Sequence, residues 1–236
     1  AVGQALREEE GSVLVFLPGQ AEIRRTEAHL ARVIDDPAIV IAPLYGSLSP
    51  EAQDAALRPA PAGERKIVLA TAIAETSLTI EGIRVVIDSG LARVPRFDPG
   101  VRVTRLATER VSLASAEQRR GRAGRLAPGV CYRLWDEPET RGLKPNAAPE
   151  ILAADLTGLA LDCAAWGVHD PATLTWLDPP PAAALSAAGA ELERLGALAP
   201  TGGLTEHGNH LRQMPLSPHL ASMVLRAAAA GQADVA

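Results

Sequence analysis

Short apolar runs alternate with polar stretches of helical spacing over the first 135 positions. Residues 12–17, 39–44, 66–70 and 84–88 are rich in Val, Ile and Leu and have the length of buried strands. Residues 20–35 instead place Ile23, Leu30, Val33 and Ile34 on one stripe with charges elsewhere, which predicts an amphipathic helix. Ser49-Pro50-Glu51 reads as a helix start, with serine as cap and proline in the first turn. Residues 58–64 carry prolines and a glycine and read as loop. Strands alternating with helices predict a parallel sheet with right-handed crossovers. Ligands of such sheets bind at the carboxyl ends of the strands, where Thr71 and Gly90 fall.

The pattern then changes twice. Residues 91–97 and 101–107 flank Asp98-Pro99-Gly100, a strong turn signal, and predict a projecting β-hairpin over 91–107. Residues 112–124 read as a helix capped by Ser112 or Ser115, and 129–135 as a strand closing the sheet. Residues 136–149 are rich in proline and charge and read as a linker. Beyond it the spacing becomes helical: Leu152, Leu156, Leu159, Cys163 and Trp166 share one face, and 182–195, 207–213 and 218–230 predict further helices. Residues 198–204, with Gly202-Gly203, read as a wing.

Composition adds bounds. A chain of 236 residues suggests one or two domains, and 47% hydrophobic residues suffice for a core. No apolar run is long enough for a membrane span and no signal peptide is evident. Cys131 and Cys163 lie in apolar runs without disulfide or metal spacing, which reads as two buried reduced thiols of a cytoplasmic protein. The five histidines do not cluster with acids or cysteines, so no metal site is expected. The net charge is −5, yet residues 84–125 hold ten arginines against four acids, while the rest of the chain holds 13 basic and 24 acidic residues. Binding to a phosphate backbone follows such a local surplus rather than the total.

The densest part of that surplus is Gln-Arg-Arg-Gly-Arg-Ala-Gly-Arg at 118–125. Guanidinium forks grip phosphate oxygens in pairs, and glycines let the backbone approach closely. Together with Thr-Ala-Ile-Ala-Glu-Thr-Ser-Leu-Thr-Ile at 71–80, this segment resembles motifs VI and V of the DEAH-box helicases of superfamily 2. Leu-Val-Phe-Leu-Pro-Gly-Gln-Ala-Glu-Ile at 14–23 resembles motif IV, and Pro-Leu-Tyr-Gly-Ser-Leu-Ser-Pro at 43–50 the segment after the next strand. Leu-Thr-Glu-His-Gly at 204–208 and Met-Pro-Leu-Ser-Pro-His-Leu-Ala at 214–221 resemble the winged-helix segment that follows the motor. The nearest group is the bacterial HrpB-like helicases.

The resemblance implies an α/β fold: a RecA-like parallel sheet flanked by helices with a projecting hairpin, then a small, mainly helical winged-helix domain. It implies a second RecA-like domain over 1–146, a winged helix over 147–213 and the start of a helical bundle over 214–236. Neither a Gly-x-x-x-x-Gly-Lys-Ser/Thr loop nor Asp-Glu-Ala-His occurs. In the family these lie on the first motor domain, which cradles the phosphates of ATP and holds Mg2+. The chain is therefore expected to be a fragment, inactive alone, whose partners are the missing first RecA-like domain and single-stranded RNA or DNA. Another reading is a non-catalytic nucleic-acid-binding or regulatory module with a relict RecA-like fold.

By the same resemblance Arg122 and Arg125 are arginine fingers and Gln118 positions the attacking water. Their spacing also groups them on one stripe of a helix, with Arg119 and Arg120 pointing elsewhere. Thr79 and Glu81 lie on the nucleotide side, and Leu57 stands where many relatives stack a phenylalanine on adenine. Thr71 lies on the nucleic-acid side, followed by Ala72 where the family has asparagine. Gly19, Gln20, Gly46 and Ser47 are candidates for sugar-phosphate contact, as are Arg93, Arg96, Arg102 and Arg105 of the hairpin.

Overall fold

The computed structural model describes residues 1–76, 79–125 and 127–231. Five parallel strands form the central sheet: β1 (Ser12–Phe16), β2 (Ile39–Leu44), β3 (Arg65–Ala70), β4 (Ile83–Asp88) and β7 (Val130–Arg133), in the spatial order β2-β3-β1-β4-β7. β1 sits between β3 and β4, with Val15 opposite both Leu69 and Ile87. Successive side chains of a strand face opposite sides. Val13, Val15, Ile67, Leu69, Val85 and Ile87 therefore pack on one face with Ala5 of α1 (Val2–Glu8) and Ile23 and Leu30 of α2 (Gln20–Val33). Leu14, Phe16, Val68, Ala70 and Val86 pack on the other, with Ala56 of α3 (Pro50–Leu57), Ala74 and Ala123.

Local chemistry explains the borders. Ser49 caps α3 by accepting from the Ala52 amide at 3.3 Å, with Pro50 in the first turn. At the other end of α3, Lys66 of β3 donates through Nζ to the carbonyls of Ala55, Ala56 and Arg58 at 3.0, 3.4 and 2.5 Å. Burial lowers the pKa of that ammonium, and three carbonyl partners offset the cost of its desolvation. Helix α1 lies where the sequence offers only weak signals. Arg65 holds it in place with Nη1 on the Leu6 carbonyl, Nη2 on Glu9 and Nε on Gly11, at 2.8 to 2.9 Å.

After β4 the chain forms a separate two-stranded sheet of β5 (Leu91–Asp98) and β6 (Val103–Arg110), with Gly100 donating to Asp98 Oδ1 at the turn. Ser112 then caps α4 (Leu113–Arg120) by accepting from the Ser115 amide. This helix is shorter than the pattern predicts. Past Arg120 the amides of Arg122 and Ala123 bond three residues back, to Arg119 and Arg120, in a tightened turn. Gly129 closes that turn against the sheet: a Cβ there would stand 2.2 Å from the Ala123 carbonyl oxygen and 2.6 Å from that of Arg84. The segment read as a linker contains α5 (Glu137–Arg141), started by a capping box of Asp136 and Glu139.

The chain divides into two compact units: Ala1–Val94 with Leu106–Ala147, and Pro95–Arg105 with Ala148–Ala236. The outer half of the hairpin thus belongs to the second unit, not to the sheet domain. The rest of that unit is α6 (Thr157–Ala165), α7 (Ala182–Arg194), α8 (Glu206–Gln213) and α9 (Pro218–Ala229), packed around Leu156, Leu161, Leu192 and Leu211. One antiparallel bridge, Leu198 to Leu204, stands where the wing was read. Helix α6 begins at Thr157, so Leu152 precedes it and Trp166 follows it, and both are exposed. Among the described residues no helix is long and apolar enough to cross a membrane.

Candidate functional site

The carboxyl ends of β1, β2 and β3 bring together most of the residues assigned to the nucleic-acid side. Gly19 is the N-cap of α2, directly after β1, and Gln20 is its first residue. Gly46 and Ser47 are exposed on the loop after β2, and the Ser47 hydroxyl lies 3.5 Å from Gln20 Oε1. Thr71 follows β3, its amide bonded to the Leu44 carbonyl. Arg93 joins the group: its Nη2 is 3.6 Å from Glu22 Oε2, and a Cβ at Gly19 would meet its Nε at 2.8 Å. The absence of a side chain at Gly19 is what admits this guanidinium.

The other hairpin arginines lie in the second unit. Arg96 is half-buried and engaged. Arg102 is ion-paired with Glu191 at 2.5 Å. Arg105 is exposed, with no ion pair among the described residues.

Of the nucleotide-side candidates, Arg122 and Arg125 follow the end of α4, and Thr79 meets Arg125 there. Gln118 is exposed on α4, and Arg122 and Arg125 follow the helix end, so a continuous helical stripe does not hold the three. Arg122 is buried, and its Nε donates to the Glu75 carbonyl at 2.8 Å. Arg125 is exposed, and its Nη1 donates to the Thr79 hydroxyl at 3.1 Å. Burial and then the neighbouring Arg125 lower the pKa of Arg122, while Glu75 raises it. Two neighbouring guanidinium groups form a ready receptor for phosphate oxygens, whose negative charge offsets the repulsion between them. Leu57 packs against the core with Ile73 and Ile80, and Glu81 is exposed. Ser77 and Leu78 of the 71–80 segment lie outside the described residues.

Sequence reasoning missed the group that holds this turn. Arg119 does point away from Arg122, into the core, where it is 0% exposed. Its Nε and Nη2 meet Glu75 Oε1 at 2.7 and 2.6 Å, and its Nη1 meets Asp88 Oδ1 at 2.7 Å and the Leu91 carbonyl at 3.1 Å. The guanidinium carbon stands 4.9 Å from the centre of the Phe16 ring. Ser115 donates to Glu75 Oε2 at 2.8 Å. Glu75 thus binds α4 through its carboxylate and Arg122 through its carbonyl. The available signal was Asp88: an acid ending an apolar strand must find a cation once it is buried. Burial, with the same Asp88 carboxylate, pushes the Cys131 thiol up to about 11, consistent with an inert thiol.

Comparison with known proteins bears on the family and the fold. Residues 1–127 match the family described as helicase conserved C-terminal domain. The chain is 48% identical over 227 residues to the ATP-dependent RNA helicase HrpB of Escherichia coli, covering 96% of this chain and 28% of that protein. It is 41% identical to the pre-mRNA-splicing factor ATP-dependent RNA helicase prp22 of Schizosaccharomyces pombe, covering 93% of this chain and 19% of that one. The crystal structure of Escherichia coli DEAH/RHA helicase HrpB superposes with a TM-score of 0.90 at 46% identity, covering 98% of this chain and 29% of that one. The parallel sheet flanked by helices is the RecA-like fold of that match. The chain spans less than a third of the length of these relatives.

Proposed function

From the helicase conserved C-terminal domain family, to which this chain belongs, we propose that it is one wall of the ATP site and part of the nucleic-acid track of an ATP-dependent RNA helicase. The observation that carries this reading is the placement of Arg122 and Arg125 around one turn, the first held by the Glu75 carbonyl and the second by the Thr79 hydroxyl. Phosphoryl transfer spreads negative charge over equatorial oxygens, and arginines aimed at that charge stabilise it. In this reading Arg122 and Arg125 supply that stabilisation, exposed Gln118 orients the attacking water, and Thr79, Glu81 and Leu57 border the nucleoside. The facing wall, with the ligands of Mg2+, belongs to a first RecA-like domain outside this chain, so the chain alone is inactive.

Gly19, Gln20, Gly46, Ser47, Thr71 and Arg93, gathered at one sheet edge, are assigned to the nucleic-acid backbone. The hairpin, with exposed Arg105, guides the strand. The helices around Leu192, with the bridge at Leu198, are read as a winged helix. The test is ATP hydrolysis by the full-length protein with and without single-stranded RNA. Arg122→Ala or Arg125→Ala lowers kcat by roughly 10³-fold or more, with a smaller change in KM, because a finger acts on charge that develops in the transition state. Hydrolysis left intact by both substitutions would sink the assignment and favour a non-catalytic binding module.

A further inference from the structure

Arg102, at the tip of the hairpin, has φ 53°, and among the described residues it is the one non-glycine with positive φ. The left-handed region is unfavourable for a residue with a side chain and persists where surrounding contacts over-determine it. Here the contact is Glu191 of α7. Arg102 Nη1 lies 2.5 Å from Glu191 Oε1, and the Glu191 side chain is only 8% exposed. Arg194 grips the same carboxylate through Nε on Oε2 at 2.9 Å and Nη2 on Oε1 at 2.5 Å, and His219 Nδ1 of α9 stands 3.2 Å from Oε1. A second tie lies nearby: the Phe97 amide donates to the Ala153 carbonyl at 3.4 Å. All of these residues belong to the second unit.

We propose that Glu191 is a positioning residue for the hairpin: it clamps the tip through Arg102 and so fixes the path of the strand-guiding element. The proposal rests on the reading of the hairpin as that element. Three features carry it. The Glu191 side chain is only 8% exposed, so the cations that reach it must come from the residues packed around it. Arg194 and His219 come from the helical body and hold Glu191 at a fixed place, ready for one further cation. The tip residue that supplies this cation adopts a backbone conformation it would not choose alone. Arg102 is thus assigned to the clamp, which leaves exposed Arg105 as the hairpin arginine available to a phosphate.

The test compares Glu191→Gln, Arg102→Ala and the double substitution in the full-length protein. Glu191→Gln keeps the shape and removes the charge; Arg102→Ala sits at an exposed tip and leaves the core of the fold untouched. Hydrogen exchange of amides 95–105 is expected to accelerate about tenfold or more in each, with no change in the central sheet. Because Arg102 reaches the helical body through its bond to Glu191, the double variant loses no more protection than the single variant with the larger loss. Unwinding is expected to fall several-fold with RNA-stimulated ATP hydrolysis unchanged, as a steering role requires. Unchanged exchange in Glu191→Gln, or additive losses, overturns the clamp and leaves the proposed ATPase role standing. Accelerated exchange with normal unwinding overturns the positioning role and assigns the failure to the reading of the hairpin.

Discussion

Two glutamates organise this chain, and they do so differently. Glu75 in the first unit collects Arg119, Ser115 and Arg122; Glu191 in the second collects Arg102, Arg194 and His219. At Glu75 the central partner Arg119 and its second acid, Asp88, are both 0% exposed. At Glu191 the partners Arg102 and Arg194 are 43% and 58% exposed. A charge pair sealed from water cannot be broken without stranding a buried ion, whereas one reached by water can open and be re-solvated. The first cluster is therefore part of the core that holds Arg122, and the second is a fastening that can be undone.

The sharpest way to break this contrast is Arg119→Met. It leaves the fully buried Asp88 without its cation, and half-buried Glu75 as well, and should cost about 3–5 kcal/mol in urea unfolding of the chain. A loss no larger than that of an exposed pair would remove the distinction. Acid offers the next effect. The Arg194 hydrogen bonds, then Arg102 and His219, hold the Glu191 carboxyl below the usual glutamate value. Its contribution is then fully present above the unfolded value near ~4.3 and is lost as pH falls through the lowered folded value. Amide spectra of residues 95–105 should change in that acid window, and Glu191→Gln should abolish the change. Arg120→Ala gives the smallest effect. Its pair with Glu117 is exposed, and Glu117 keeps Arg133 at 2.7 Å, so the expected loss is within about 0.5 kcal/mol.

Much of the fold was legible because it rests on local rules. The apolar runs became β1 to β4, Asp98-Pro99-Gly100 became the hairpin turn, and Ser49 and Ser112 cap the helices they precede. Helix α1 was not legible, because Arg65, more than fifty positions away, holds its carbonyls. The end of α4 was not legible either, because the approach of Gly129 to Ala123 decides it. In the candidate site, the motif spacing singled out Arg122 and Arg125, but nothing local separates Arg119 from Arg120. One is sealed in the core and the other is 63% exposed, and the distant acids Asp88, at the end of β4, and Glu75 make that difference.

The capping of α3 has a practical outcome for labelling. The chain contains two lysines, Lys66 and Lys144. Lys66 is 6% exposed, with its ammonium committed to the carbonyls on either side of Leu57. Lys144 is exposed, and its carbonyl accepts from the Leu113 amide at the start of α4. An amine-reactive dye therefore distinguishes the two side chains without mutagenesis. Attached at Lys144, it reports from the entrance of the helix that carries Gln118.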